Sequence, residues 1–125
     1  MAKTILVVDD SASLRRVVNI ALTGAGYEII EAGDGEDGLK KLAELGGKKV
    51  HLIISDVNMP RMDGIEFVSQ LKQQNTFRFT PVIMLTTEGD DEIKMAGKAA
   101  GAKAWIIKPF NPQQMLNAVS KLILP

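Results

Sequence analysis

Five short apolar runs, each followed by an amphipathic segment, constrain this chain more than any other feature it has. Thr4–Val8, Tyr27–Ala32, Val50–Ser55, Pro81–Thr86 and Ala104–Ile107 read as strands. All but the second are almost continuously apolar, as strands covered on both faces are. Helical patterns stand between them. Leu14, Val17, Val18, Ala21 and Leu22 keep the i, i+3, i+4, i+7, i+8 spacing, with Ser11 or Ser13 as the cap. Leu39, Leu42 and Ala43 mark a second helix, whose wet face should carry Glu36–Lys40 and Asp37–Lys41 pairs. Asp63 caps a third, carrying Ile65, Val68 and Leu71. Met115, Val119 and Leu122 mark the last, with Pro112 in its first turn. The fourth, from about Asp90 to Ala100, has only Ile93, Ala96 and Ala100 as its apolar stripe. Gly97 inside it costs roughly 1 kcal/mol against Ala, so this helix should be the least stable.

Strict alternation of strand and helix implies an α/β fold, a five-stranded parallel sheet with right-handed crossovers and helices on both faces. A chain of 125 residues, 46% of them hydrophobic, suits one core, and residues 1–125 are read as a single domain. Lys+Arg and Asp+Glu balance at 15 each, which gives no electrostatic case for nucleic acid or an anionic membrane. Without cysteine there is neither a disulfide scaffold nor a thiolate metal site. No apolar stretch approaches the ~18 residues of a membrane span. The first apolar run is shorter than the roughly 7–15 residues of a signal peptide's core. A soluble, cytoplasmic monomer is expected.

Ligands of open parallel sheets sit beyond the carboxyl ends of the strands. The polar residues of this sequence gather there. "VVDD" ends the first strand on Asp9 and Asp10, and "LIISD" ends the third on Asp56. Thr86 closes the fourth strand and Lys108 follows the fifth. Singly, each has a plainer reading: a solvated strand end, an Asx-turn, a β-branched strand residue, a surface lysine. Brought to one edge, three carboxylates repel, by about 4 kcal/mol for two unit charges about 4 Å apart at an effective dielectric of about 20. Either a pKa rises or a cation binds. Oxygen-only ligands favour a hard divalent ion, and Mg²⁺ needs only one or two carboxylates beside a phosphoryl oxygen. Lys108 adds a fixed positive charge, and Thr86 a hydroxyl that can donate to an oxyanion. Such a site suits phosphoryl transfer, with a carboxylate as nucleophile. His51, the only histidine, lies five residues before Asp56. At about 3.3 Å per residue that is roughly 16 Å, too far for a general base. "GDGEDG" (Gly33 to Gly38) lacks the spacing of a phosphate-binding loop and is assigned to a turn and a helix cap.

"VVDDS", "DVNMPRMDG", "MLTTE" and "KPF" together closely resemble the receiver domain of two-component response regulators, along essentially the whole chain. The resemblance implies a flavodoxin-like (βα)5 fold with strand order 2-1-3-4-5. It makes Asp56 the phosphoacceptor, served by a histidine kinase. It makes Asp10, Asp56 and the backbone carbonyl of Asn58 the Mg²⁺ ligands, with Asp9 acting through water. Thr86 and Lys108 would contact the phosphoryl group, and Lys108-Pro109 would be a cis peptide. Within that family the chain looks most like stand-alone chemotaxis members of the CheY type. Those have a CheA-like kinase and a target such as the flagellar motor switch, met through the fourth helix, fifth strand and fifth helix. Lys98, Lys103, Trp105 and Lys121 would colour that face. Ending at Pro125, the chain is expected to carry no effector domain, so output comes from binding. Asn58 and Glu88 resemble the modulating positions of members with a short-lived phosphoryl group. Trp105 stands where a tyrosine is common, and Thr87 where a smaller residue is. Both bear on the switch rather than on phosphorylation. A phosphorelay shuttle is a close relative of this reading. A haloacid-dehalogenase-like, Mg²⁺-dependent phosphatase is a more distant one, since its first-strand motif separates the two aspartates by one residue.

Overall fold

The computed structural model describes residues 2–87 and 91–123. Its elements alternate as the apolar runs require: β1 (Thr4–Val8), α1 (Ala12–Gly24), β2 (Glu28–Ala32), α2 (Gly35–Glu44) and β3 (Leu52–Asp56). There follow α3 (Gly64–Lys72), β4 (Val82–Thr87), α4 (Asp91–Ala100), β5 (Ala104–Lys108) and α5 (Pro112–Leu122). All strand pairs are parallel, in the order β2-β1-β3-β4-β5, the flavodoxin-like arrangement expected.

The last three strands each run one residue further than the apolar pattern suggests. Asp56 pairs with Leu85 and Thr87 with Lys108, so the polar residue that ends each run still belongs to the ladder. Lys108 is therefore the last residue of β5 rather than the first after it. β5 also departs from the expectation of a strand covered on both faces. It is an edge strand, and Ile107 is 44% exposed.

Side chains of alternate strand residues enter opposite faces. On one face Leu6, Val8, Ile53, Val82 and Met84 meet Leu42 of α2 and Phe67, Val68 and Leu71 of α3. On the other, Ile5, Val7, Ile54, Ile83 and Leu85 meet Val18 and Leu22 of α1 and Met115 and Val119 of α5. Among the described residues, four helices start on a side chain that accepts from the backbone three residues on: Ser11, Asp34, Asp63 and Asn111. Asn111 and Gln114 form a reciprocal capping box, and each such cap contributes about 1 kcal/mol. In α4 only Gly97 is buried among the described residues, in keeping with the thin stripe read from the sequence. Asp90 lies outside the described residues.

The two ion pairs expected along α2 are not formed. Lys41 Nζ instead donates to the Glu31 carbonyl at 2.8 Å, Asp37 accepts from the Gly33 N–H at 3.0 Å, and Glu36 lies 3.6 Å from Arg61. Anchored tertiary partners outcompete exposed i,i+4 pairs, which contribute only about 0.2–0.5 kcal/mol.

Candidate functional site

β1 delivers Asp9 to the carboxyl edge of the sheet, where it is fully buried. Its backbone N–H continues the ladder to the Ala32 carbonyl at 3.1 Å. Its Oδ1 accepts from the Ser11 N–H at 2.8 Å, which turns the chain into α1. Asp10 is exposed. β3 delivers Asp56, only 5% exposed. Lys108, at the end of β5, reaches across both: its Nζ lies 3.1 Å from Asp56 Oδ1 and 3.3 Å from Asp9 Oδ2. One lysine thus serves two buried carboxylates, with a third beside them.

The electrostatics follow. Burial raises the Asp56 carboxyl above the usual carboxylate range, and the charge of Asp9 adds to it, while Lys108 opposes both. For Lys108, burial works against the ammonium, but the charges of Asp9 and Asp56 outweigh it and hold the group above the ordinary lysine value.

Asp9, Asp10 and Asp56 each present a carboxylate oxygen within 4.8 Å of the others. A donor set of oxygens only, carrying excess negative charge, fits a hard divalent cation such as Mg²⁺ and offers nothing to a softer metal. Thr86, buried in β4, and Thr87, exposed at its end, stand at the same edge. Asn58 is exposed in the loop just after Asp56. The Lys108-Pro109 peptide is cis. Glu88 lies outside the described residues. His51 precedes β3 at the opposite end, where its Nδ1 accepts from the Thr4 N–H at 3.0 Å.

Trp105 stands apart from the acids. Its indole packs into the core beneath α3 and α4, against Gly97. A Cβ added at Gly97 would come within 3.3 Å of the indole Nε1 and Cζ2. Among the described residues, no acceptor meets the buried indole Nε1–H.

Two contributors were not read from the sequence. Gly64 lies so close beneath the loop after Asp56 that an added Cβ would sit 2.0 Å from the Asp56 carbonyl oxygen. Its signal was present, a glycine straight after the Asp63 cap. Arg61 adopts φ 66° and clasps the buried Asp34, the cap of α2, with Nε 3.1 Å from Asp34 Oδ2. Hydrogen bonding from Arg61 holds the Asp34 carboxyl below its ordinary value. No local sequence signal marks a pair 27 residues apart.

Residues 5–120 match the family described as the response regulator receiver domain. The chain is 43% identical over 124 residues to the alkaline phosphatase synthesis transcriptional regulatory protein PhoP of Bacillus subtilis, covering 99% of this chain and 49% of that one. It is 40% identical over 110 residues to the chemotaxis protein CheY1 of Helicobacter pylori, covering 87% of each. The chain therefore spans about half the length of the transcriptional regulator and most of the chemotaxis protein. A solved structure of Vibrio cholerae CheY4 superposes with a TM-score of 0.91 at 44% identity, covering 98% of this chain and 99% of that one. Receiver domains are signalling proteins rather than enzymes in the usual sense. Histidine kinases phosphorylate them, they bind Mg²⁺ at an acidic pocket, and they act on downstream targets. With this match along nearly its whole length, and this acidic edge, the chain belongs to the response regulator receiver domain family.

Proposed function

We propose that residues 1–125 act as one receiver unit and a monomeric, cytoplasmic phosphorylation switch, with Asp56 as the phosphoacceptor. The observation that carries the reading is Asp56 itself: a buried carboxylate at a strand end, facing one lysine and two further acids. Among the described residues no helix is long and apolar enough to cross a membrane.

The chemistry follows from the side chains. An oxygen of Asp56 attacks the phosphorus of a kinase phosphohistidine. The P–N bond breaks, its electron pair returns to the imidazole, and an aspartyl phosphate forms. The environment that keeps the Asp56 carboxyl above its usual value also makes its oxygen a better nucleophile. Lys108, already 3.1 Å from that carboxylate, holds negative charge as it moves onto the phosphoryl oxygens. The Thr86 hydroxyl donates to one of them. Asp10, Asp56 and the Asn58 carbonyl would hold Mg²⁺, which when bound neutralises phosphoryl oxygen charge. Asp9 has one oxygen on the Ser11 N–H and the other on Lys108, which suits a ligand acting through water. Hydrolysis of the acyl phosphate by water restores the carboxylate, at a rate that Asn58, Thr87 and Glu88 would tune.

The output is placed on α4, β5 and α5, read by Trp105, and directed to chemotaxis. A CheA-like kinase would act upstream and a flagellar motor protein or similar target downstream. The likeness to CheY1 and CheY4 over nearly the full length of each supports this. Met95, 72% exposed on α4, and Ile107 offer that face apolar contacts. The PhoP likeness favours a second output, control of a transcriptional regulator. The test is incubation with Mg²⁺ and acetyl phosphate, followed by intact mass and Trp105 fluorescence. One phosphoryl group should be added and Trp105 emission should change, and Asp56→Asn should show neither. Uptake by Asp56→Asn at an unchanged rate would refute the acceptor assignment. Labelled protein that binds a flagellar motor target only when phosphorylated would decide for chemotaxis.

A further inference from the structure

A cavity of about 480 Å³ opens at the amino ends of β1, β3 and β4, at the pole opposite the acids. Its charged lining is cationic, Lys3 and Lys49, with His51, Thr76 and Thr80 as further polar residues. Among the described residues that line it, none is acidic. Lys3, Lys49 and His51 lie close enough to act on one another. After burial, the charges of Lys3 and Lys49 are the largest influences lowering the His51 pKa. Phe77, Phe79, Pro81, Leu122 and Ile123 supply most of the apolar wall.

Phe79 is 89% exposed, an unusual position for a phenylalanine. The loop that carries it is held in place. Lys72, at the end of α3, donates from Nζ to the carbonyls of Phe77 at 3.3 Å and Arg78 at 3.1 Å, and to that of Thr80. The ring is therefore presented by an ordered turn rather than left over from a loose one. A preformed concave site of this volume lies within the range of about 300–1,000 Å³ that small ligands use. Lysines with no ion-pair partner among the described residues, beside an exposed ring, complement an anion with a flat apolar body.

We infer that the amino-end cavity is a binding site for a small aromatic carboxylate, its ring against Phe79 and its carboxylate between Lys3 and Lys49. The inference does not rest on the phosphoacceptor reading, because the two poles share no residue. Naphthylacetate is a suitable probe, with uncharged naphthylacetamide as its control, followed by backbone amide NMR of the full chain. Saturable shifts are expected around residues 3, 47–51, 76–81 and 122–123, with a Kd below about 1 mM. The amide should bind about tenfold more weakly. Lys49→Glu and Phe79→Ala change exposed positions, so both should fold, and each should weaken binding by about tenfold. No saturation by about 10 mM, equal affinity for the uncharged amide, or shifts spread over the carboxyl edge would each overturn the inference.

Discussion

The two ends of this sheet treat charge in opposite ways. At the amino end, polar groups drawn in from solvent meet matched partners. Lys72 spreads its ammonium over three carbonyls, and His51 accepts a backbone N–H through Nδ1. At the carboxyl end Asp9, Asp10 and Asp56 crowd together with Lys108 between two of them. Both ends belong to the same strands and rest on the same two cores. At the amino end, by contrast, no such acidic cluster is found among the described residues. Charge pairing among buried side chains is left incomplete at the edge where the proposed phosphoryl chemistry would use it.

The contrast can be broken most directly at Asp56. Asp56→Asn should abolish Mg²⁺-dependent phosphoryl uptake. It should also raise stability without Mg²⁺ by about 1 kcal/mol, because the buried carboxylate and its repulsion by Asp9 are gone. Intact mass and urea unfolding read the two effects, and a fall in stability would mean that the Lys108 pairing dominates. Gly64→Ala tests whether the loop after Asp56 is as tightly seated as it looks. With a Cβ 2.0 Å from the Asp56 carbonyl, it should cost about 3 kcal/mol or more. A change within about 0.5 kcal/mol by urea unfolding would show that the loop shifts freely. At the other pole, Lys72→Met keeps the aliphatic stem and removes three donated hydrogen bonds. A loss of about 2 kcal/mol is expected, with phosphoryl uptake unchanged.

The smallest effect should come from His51. Burial and its lysine neighbours hold its folded pKa below the 6.5 of the free group. As pH falls through 6.5 the unfolded chain takes up the proton first, so stability declines. The decline levels off once pH drops below the folded value. His51→Gln retains an acceptor for the Thr4 N–H and should remove this part of the slope. Urea midpoints for both proteins between about pH 5 and pH 7.5 measure it. Identical slopes would leave His51 with no part in acid sensitivity.

Much of this was legible in the sequence, for physical reasons. Apolar runs between amphipathic segments leave few topologies, and parallel order sends every run-ending polar residue to one edge. Asp9, Asp10, Asp56, Thr86 and Lys108 could be placed together without knowing one contact. Strand ends were less legible, because Thr87 and Lys108 look like loop residues yet continue the ladder. The pairs predicted on α2 failed because i,i+4 spacing takes no account of what the neighbouring loops offer Lys41 and Glu36. Arg61 gave no sign, since neither its left-handed backbone nor its reach to Asp34 leaves a periodic trace. The direction of Trp105 was open too. It depends on Gly97 leaving room on α4, a relation between a helix and a strand rather than a property of either.

That room has a consequence for signalling. The indole lies between α4 and β5 with its Nε1–H unmet among the described residues, so burial of apolar surface and packing, rather than a hydrogen bond, favour the inward pose. Water outside offers the missing acceptor. If phosphorylation repacks the α4 seam, as the proposed switch requires, the ring's surroundings change with it, and its emission colour would serve as a built-in gauge of that seam.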